Sequence, residues 1–230
     1  MEGAVVRTRK RVADHGEVLT GRREVNAMLD LVKQETERID SRFLEPACGD
    51  GNFLTVILER KLAVVEKRYA RSQLDFERNA ILAVSSIYGI DILPDNVCDC
   101  RRRLLKIFET NYTRLFGGNC RGNCQDAARF ILERNIIWGD ALTLKTVGEE
   151  PDHIVFSEWS PVNGSMLKRR DFTFSELLRH QEAMQAPLFP GLENEEQLPL
   201  FSDLGEDAFI PTPIREYPPV HFMEIAHVDE

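Results

Sequence analysis

The 230-residue sequence predicts an open α/β fold with a mainly parallel sheet, on three observations. Short apolar and β-branched runs alternate with longer stretches of helical period. The first of these runs opens into a Gly-x-Gly turn with a helix directly behind it. Three runs end in an acid, at Glu45, Asp91 and Asp140, where an open α/β sheet presents groups to a ligand.

The elements follow in order. Glu24 to Val32 place Val25, Met28, Leu29 and Val32 at helical spacing, ahead of a strand at Arg42 to Glu45. Asn52 to Tyr69 form a helix with Phe53, Val56, Ile57 and Val64 inward, and Phe76 to Ser85 form another. Ile87 to Asp91 read as the second strand, after which Pro94 opens a helix running to about Phe116. Gly117 to Gly122 break that helix and Gln125 to Arg134 form the next. A third strand spans Asn135 to Trp138 and ends in Gly139-Asp140, and a fourth is expected at Asp152 to Phe156. From about Glu182 the chain holds seven of its eleven prolines and no sustained period, which reads as a flexible acidic tail.

In the turn, Phe43 and Leu44 end a buried strand, Pro46 stops the ladder, and Gly49 and Gly51 let the backbone meet a ligand where a Cβ would block it. The string Glu45-Pro46-Ala47-Cys48-Gly49-Asp50-Gly51-Asn52-Phe53-Leu54 resembles the first motif of S-adenosylmethionine-dependent N6-adenine DNA methyltransferases. The resemblance covers about residues 13 to 160 and implies a Rossmann-like methyltransferase fold that binds S-adenosylmethionine and acts on DNA. Gly16-Glu17-Val18-Leu19-Thr20 resembles the family's upstream segment that closes over the cofactor, with Gly21 where the family usually has proline.

The cofactor presents ribose hydroxyls, an adenine and a charged amino-acid end, so its site needs acceptors beside the turn. Asp91 stands like the acid that accepts from ribose hydroxyls, with Ile92 to pack on adenine. Asp140, followed by Ala141, resembles the family's acid on the adenine amino group, while Glu45 and Asp50 flank the turn and offer acceptors to the ammonium. About 40 residues separate the turn from Asp91, twice the roughly 20 of the simple fingerprint. Lys61 to Ser85 read as an added helical segment, at home in the larger enzymes of restriction-modification systems.

The resemblance fails at the fourth strand, where the family carries Asn-Pro-Pro-aromatic to hold a flipped adenine. This chain reads Ser157-Glu158-Trp159-Ser160-Pro161. Ser157 or Glu158 is the available acceptor, Trp159 the available stacking ring, and Pro161 closes the loop. Little sequence remains beyond Phe156 for further strands, so a truncated or split enzyme is expected. Two functions stay open: an adenine-N6 DNA methyltransferase or methylase subunit, and a non-catalytic cofactor-binding subunit that needs a partner chain for target recognition and catalysis. The organisation implied is an N-terminal helical segment (1–41), a cofactor-binding domain (42–175) and an acidic, proline-rich tail (176–230).

The net charge of -9 is uneven, because residues 176–230 hold 12 acids against 2 bases and the rest holds 27 bases against 26 acids. Basic runs at Arg7 to Arg11, Arg101 to Arg103 and Lys168 to Arg170 are either phosphate contacts or solvated faces. No run of about 18 apolar residues suggests a membrane span and no secretory leader is evident, so a cytoplasmic protein is expected. The five cysteines are odd in number and fit reduced thiols. Cys98 and Cys100, two apart on a helix, face different ways and make no shared metal site. Two peptides in the tail, Gln185 to Phe189 and Gln197 to Phe201, repeat Gln-x-x-Leu-Phe and resemble segments that dock on the replication sliding clamp.

Overall fold

The computed structural model describes residues 20–185 and 211–227. Helix α1 (Arg22–Asp30) and the single turn α2 (Lys33–Thr36) precede β1 (Phe43–Glu45). Two helices, α3 (Asn52–Tyr69) and α4 (Gln73–Ser85), lead to β2 (Ile87–Asp91), and two more, α5 (Pro94–Phe116) and α6 (Gly122–Asn135), lead to β3 (Ile136–Asp140). Apart from α2, which the sequence reading did not include, each boundary falls within a helical turn of that reading. Ser72 caps α4 by accepting from Asp75 N, and Pro94 stands in the first turn of α5, where its missing N–H breaks no helical bond.

The helical crossovers make β1, β2 and β3 parallel, with Phe43 opposite Ile87 and Gly89 opposite Ile136. Strand alternation then gives β2 two different faces. Ile87 joins the helical core and Gly89 faces Leu54 of α3, whereas Tyr88 and Ile90 pack with Ile154, Phe156 and Phe174 on the other side. The helical layer is tied by two buried polar centres. Glu77 on α4 accepts from Tyr112 on α5, from Gln73 Nε2 at 2.8 Å and from Arg121 Nη1 at 3.0 Å. Lys61 on α3 donates to the carbonyls of Ile39 and Ser41 and to Ser86 Oγ, closing the chain ends that flank β1 and β2.

The expected fourth strand is corrected here. The chain leaves β3 into β4 (Lys145–Thr146), which pairs antiparallel with β3, and then enters β5 (Val155–Pro161) rather than a strand at Asp152 to Phe156. Only fourteen residues separate Asp140 from Val155, and β4 and its return take them up. No helical crossover of the dozen or more residues that a further parallel strand needs can be built from them. Strand β5 therefore pairs antiparallel with β6 (Met166–Thr173) in a second sheet that lies over the Tyr88 face of β2.

The tail is corrected as well. Strand β6 runs directly into α7 (Phe174–Gln185), and residues 211–227 return to add β7 (Arg215–Glu216) and β8 (Val220–His221) along β6. Tyr217, Phe222, Met223 and Ile225 are buried there. The strands expected to be lacking beyond Phe156 are thus present, although they build a second sheet instead of extending the first. The Arg7 to Arg11 run, Gly16 to Leu19 and the peptides ending in Phe189 and Phe201 lie outside the described residues.

Candidate cofactor site

The carboxyl ends of β1, β2 and β3 converge on the glycine turn. Gly49 and Gly51 hold φ of 54° and 89°, a region open to glycine and strained for other residues. The turn is fixed from within. Cys48 N donates to Ile90 O at 2.9 Å, Gly51 N to Cys48 O at 2.9 Å, and Gly49 N to Asp91 Oδ2 at 2.8 Å. Ala47 N donates to the Glu45 carboxylate, but burial is the larger influence and raises the Glu45 pKa above the usual glutamate range.

Asp91 is more structural than its sequence position suggested. Besides the bond from Gly49, its Oδ1 accepts from Leu93 N at 2.9 Å and Asn96 Nδ2 at 3.1 Å. Of the roughly four lone-pair directions of a carboxylate, three are occupied. A ribose hydroxyl would take the fourth. Asp140 accepts from Leu142 N at 2.9 Å and from Thr143 Oγ1 at 3.0 Å, one bond to each oxygen, so it retains capacity for an amino donor. Its turn holds Leu144 at φ 59° and leaves Leu142 94% exposed.

Of the two acids expected to meet an ammonium, Asp50 is engaged: Arg103 Nη1 lies 2.8 Å from its Oδ1 and 2.7 Å from its carbonyl oxygen. Glu45 is left for that role. Thr20 is brought to the turn by a 3.3 Å bond from Asn52 Nδ2 to its carbonyl. Pro46 and Ala47 are exposed and Asn52 is half-buried, while Phe53 packs against the helical core. Ile92, 48% exposed, stands at the edge as expected, and beside it is a ring that had not been singled out for the site. Trp138, 38% exposed, donates Nε1 to Ile92 O at 3.0 Å. The register that sets Asp91 opposite Trp138 was the signal, and it is legible only once the strands are paired.

The charge at this edge suits a cation better than a phosphate. The amides of Ala47, Cys48, Gly49 and Gly51 are already bonded, so the turn cannot cradle a pyrophosphate with them as dinucleotide loops do. The nearby arginines are occupied too. Arg101 binds the carbonyls of Glu133 and Ile136, Arg102 pairs with Asp99, and Arg103 pairs with Asp50.

The residues expected to hold a target base do not come to this edge. Ser157, Glu158, Trp159 and Pro161 form strand β5, not a loop. Trp159 is 4% exposed and donates Nε1 to Asn135 Oδ1 at 3.1 Å, so no ring face is free for stacking. Ser157 Oγ donates to Asp171 Oδ1 at 2.7 Å, and Pro161 pairs with Leu167. Glu158 forms ion pairs with Arg42 and Arg170. Arg42 immediately precedes β1 and Asn135 immediately precedes β3. These contacts therefore gather at the amino ends of the parallel strands, opposite the glycine turn. The Lys168 to Arg170 run is likewise committed, to Glu216, Asp171 and Glu158.

No protein-family model, curated protein or solved structure matches the chain. Among the described residues no helix is long and apolar enough to cross a membrane, and no cluster of three or more His, Cys, Asp or Glu side chains is arranged to hold a metal.

Proposed function

We propose that the chain is the S-adenosylmethionine-binding subunit of an adenine-N6 DNA methyltransferase of the restriction-modification kind, and that a partner chain supplies the loop that holds the target base. In this reading β1, β2 and β3 are the cofactor half of a Rossmann-like methyltransferase fold. The observation that carries it is the character of the carboxyl edge. Bonded turn amides, the acceptors Glu45, Asp91 and Asp140, and the Ile92–Trp138 ledge suit a nucleoside that is cationic at its sulfur and amino end. When bound, that cofactor supplies an electrophilic methyl group. The chain's own residues orient it: Asp140 at the adenine amino group, Ile92 and Trp138 against the ring, Asp91 at the ribose and Glu45 at the ammonium.

The same acidity argues for a partner. Glu45, Asp91 and Asp140, each ending a parallel strand, disfavour close approach of DNA phosphates at this edge. With Ser157 to Pro161 at the other end of the sheet, base holding falls to another polypeptide. The two Gln-x-x-Leu-Phe peptides are a separate candidate attachment, to a sliding clamp; unchanged clamp binding after Leu200→Ala with Phe201→Ala would remove it.

Calorimetric titration tests the cofactor reading. S-adenosylmethionine should bind and ATP should not. Asp140→Asn should weaken the methyl donor about tenfold, or 1.4 kcal/mol. Asp91→Ala is the poorer variant, because Asp91 also holds Gly49. Failure of the folded chain to bind the methyl donor would refute the cofactor reading, and methyl transfer to DNA by the isolated chain would refute the need for a partner.

A further inference from the structure

One edge of the parallel sheet carries no further strand among the described residues. Strands β1, β2 and β3 lie side by side in chain order, so β1 has β2 as its one neighbour there. Phe43 N donates to Ser86 O at 2.9 Å. In a parallel ladder alternate residues turn both backbone groups to the same neighbour, so Leu44 turns its N–H and C=O to the open side. Leu44 registers with Tyr88, on the face that the second sheet covers, yet is 41% exposed, so that sheet stops short of β1. Proteins that stand alone blunt such an edge with charge, proline or a bulge. Here the residue presented is leucine.

Helix α1 extends this open side. Helix α3 lies over β1 and β2 with α5 on one flank, and α1 packs on its other flank through Val25 and Leu29, with Asp30 paired to Arg60. The outer part of α1 and its end carry Met28, Leu31 and Val32, all exposed and Leu31 86% so. Four of the ten exposed large apolar side chains among the described residues therefore stand on this one side, a clustering that marks an interaction surface.

Strand order indicates what fits there. In an open α/β sheet the ligand crevice forms where the strand order reverses, between the first strand and a neighbour on its other side. The glycine turn follows β1, but the order of β1, β2 and β3 does not reverse among the described residues, so the crevice has one wall. A strand added parallel to β1 would bring its carboxyl end and the loop after it beside Gly49 to Gly51. A second copy of the chain fits poorly. About a two-fold axis Leu44 would face Leu44, and Pro46, which has no N–H, would face Arg42.

We propose that the open edge of β1 and the exposed side of α1 dock the partner chain, an α/β polypeptide that adds a parallel strand beside Leu44 and lays an apolar helix on Met28, Leu31 and Val32. The partner's task at the turn rests on the reading of this chain as a cofactor-binding subunit; the docking surface rests on strand order and exposure. Main-chain bonds to Leu44 set the register of the added strand, and apolar burial on α1 supplies affinity.

The experiment uses the full tagged chain in the cells that make it, with photoreactive benzoylphenylalanine in place of Leu44, Leu31 or Leu74 in turn. Leu74 is an exposed control on α4. Cross-links from positions 44 and 31 to one other polypeptide are expected, with none to it from position 74. In the complex purified with that polypeptide, hydrogen exchange of the Leu44 amide should slow about tenfold or more relative to the free chain. Leu44→Pro removes a donor that β2 does not use, and should release the partner while keeping the unfolding midpoint. Leu31→Asp, at an exposed position, should weaken the complex about tenfold and decides the matter if the proline variant does not fold. Cross-links only within the chain or between its copies, none from either position, or unchanged Leu44 exchange in the complex would overturn the proposal. Titration of the complex with S-adenosylmethionine is read separately. Absent binding would refute the cofactor reading, and the cross-links would still decide the docking surface.

Discussion

Single residues carry most of the constraint at the carboxyl edge. Gly49 and Gly51 both have positive φ, but only Gly51 also packs where a side chain would stand, 2.7 Å from Cys100 Sγ, whereas a Cβ on Gly49 meets open space. Replacing Gly49 with alanine should cost roughly 1 kcal/mol, the conformational penalty alone. Gly51→Ala adds the steric overlap and should cost about 3 kcal/mol. Equal losses in denaturant unfolding would show that Cys100 yields freely. Lys61 offers a test by pH. Burial lowers its pKa from 10.5 to about 7, so between those values the unfolded chain holds a proton that the folded chain has released. Stability from this group therefore rises with pH across that window and is flat below it. Lys61→Met lacks the titration, so the stability difference between wild type and variant should shift in favour of wild type from pH 7 to 10.5. A difference independent of pH would place the Lys61 pKa near its ordinary value.

At the scale of elements, Asn135 is the joint between the two sheets. Its Nδ2 donates to Ser85 O and Ile87 O at the start of β2, and its Oδ1 accepts from Trp159 of β5. Asn135→Ala would leave Trp159 Nε1 buried without an acceptor, and should destabilise by about 2 kcal/mol with a change in the fluorescence of that ring. An unchanged unfolding midpoint would mean that hydrophobic packing alone holds β5. The helices and the three parallel strands were legible because their signals are local: apolar spacing, Pro94 at a helix start, and the glycines that break α5. Strand β5 was not, because an apolar run shows extended backbone without showing what it pairs with. Its pairing was decided by the short path from β3 and by the exposed apolar face of β2.

For the whole molecule, the segment 211–227 decides whether the fold closes. Tyr217, Phe222, Met223 and Ile225 are buried, and Tyr217 OH donates to Asp171, which also pairs with Arg169. Each large apolar side chain contributes roughly 2 kcal/mol when buried. A chain ending at Gln185 should therefore lose more than about 5 kcal/mol and unfold or aggregate at ordinary temperature. A cooperative transition of native midpoint in that shortened chain would show the segment to be dispensable. Composition and proline content had suggested a tail here, but proline excludes only regular pairing. Pro218 and Pro219 sit in the bend between β7 and β8, where no ladder bond is required of them.

By itself the sequence determined the alternation of helices and parallel strands, the strained glycine turn, and the acids at the strand ends, since each follows from short-range geometry and residue type. The proposed methyl-donor reading of Glu45 to Leu54 also starts from the sequence. Only the tertiary structure decided which of these groups remain available. Asp50 is held by Arg103, Asp91 is largely occupied by the turn, and Trp138 emerges beside Ile92. Ser157 to Pro161 lie at the far end of the sheet, and Cys100 packs against Gly51. The reason is physical: residue type sets what a group can bond, but long-range chain return sets which partner is within bonding distance.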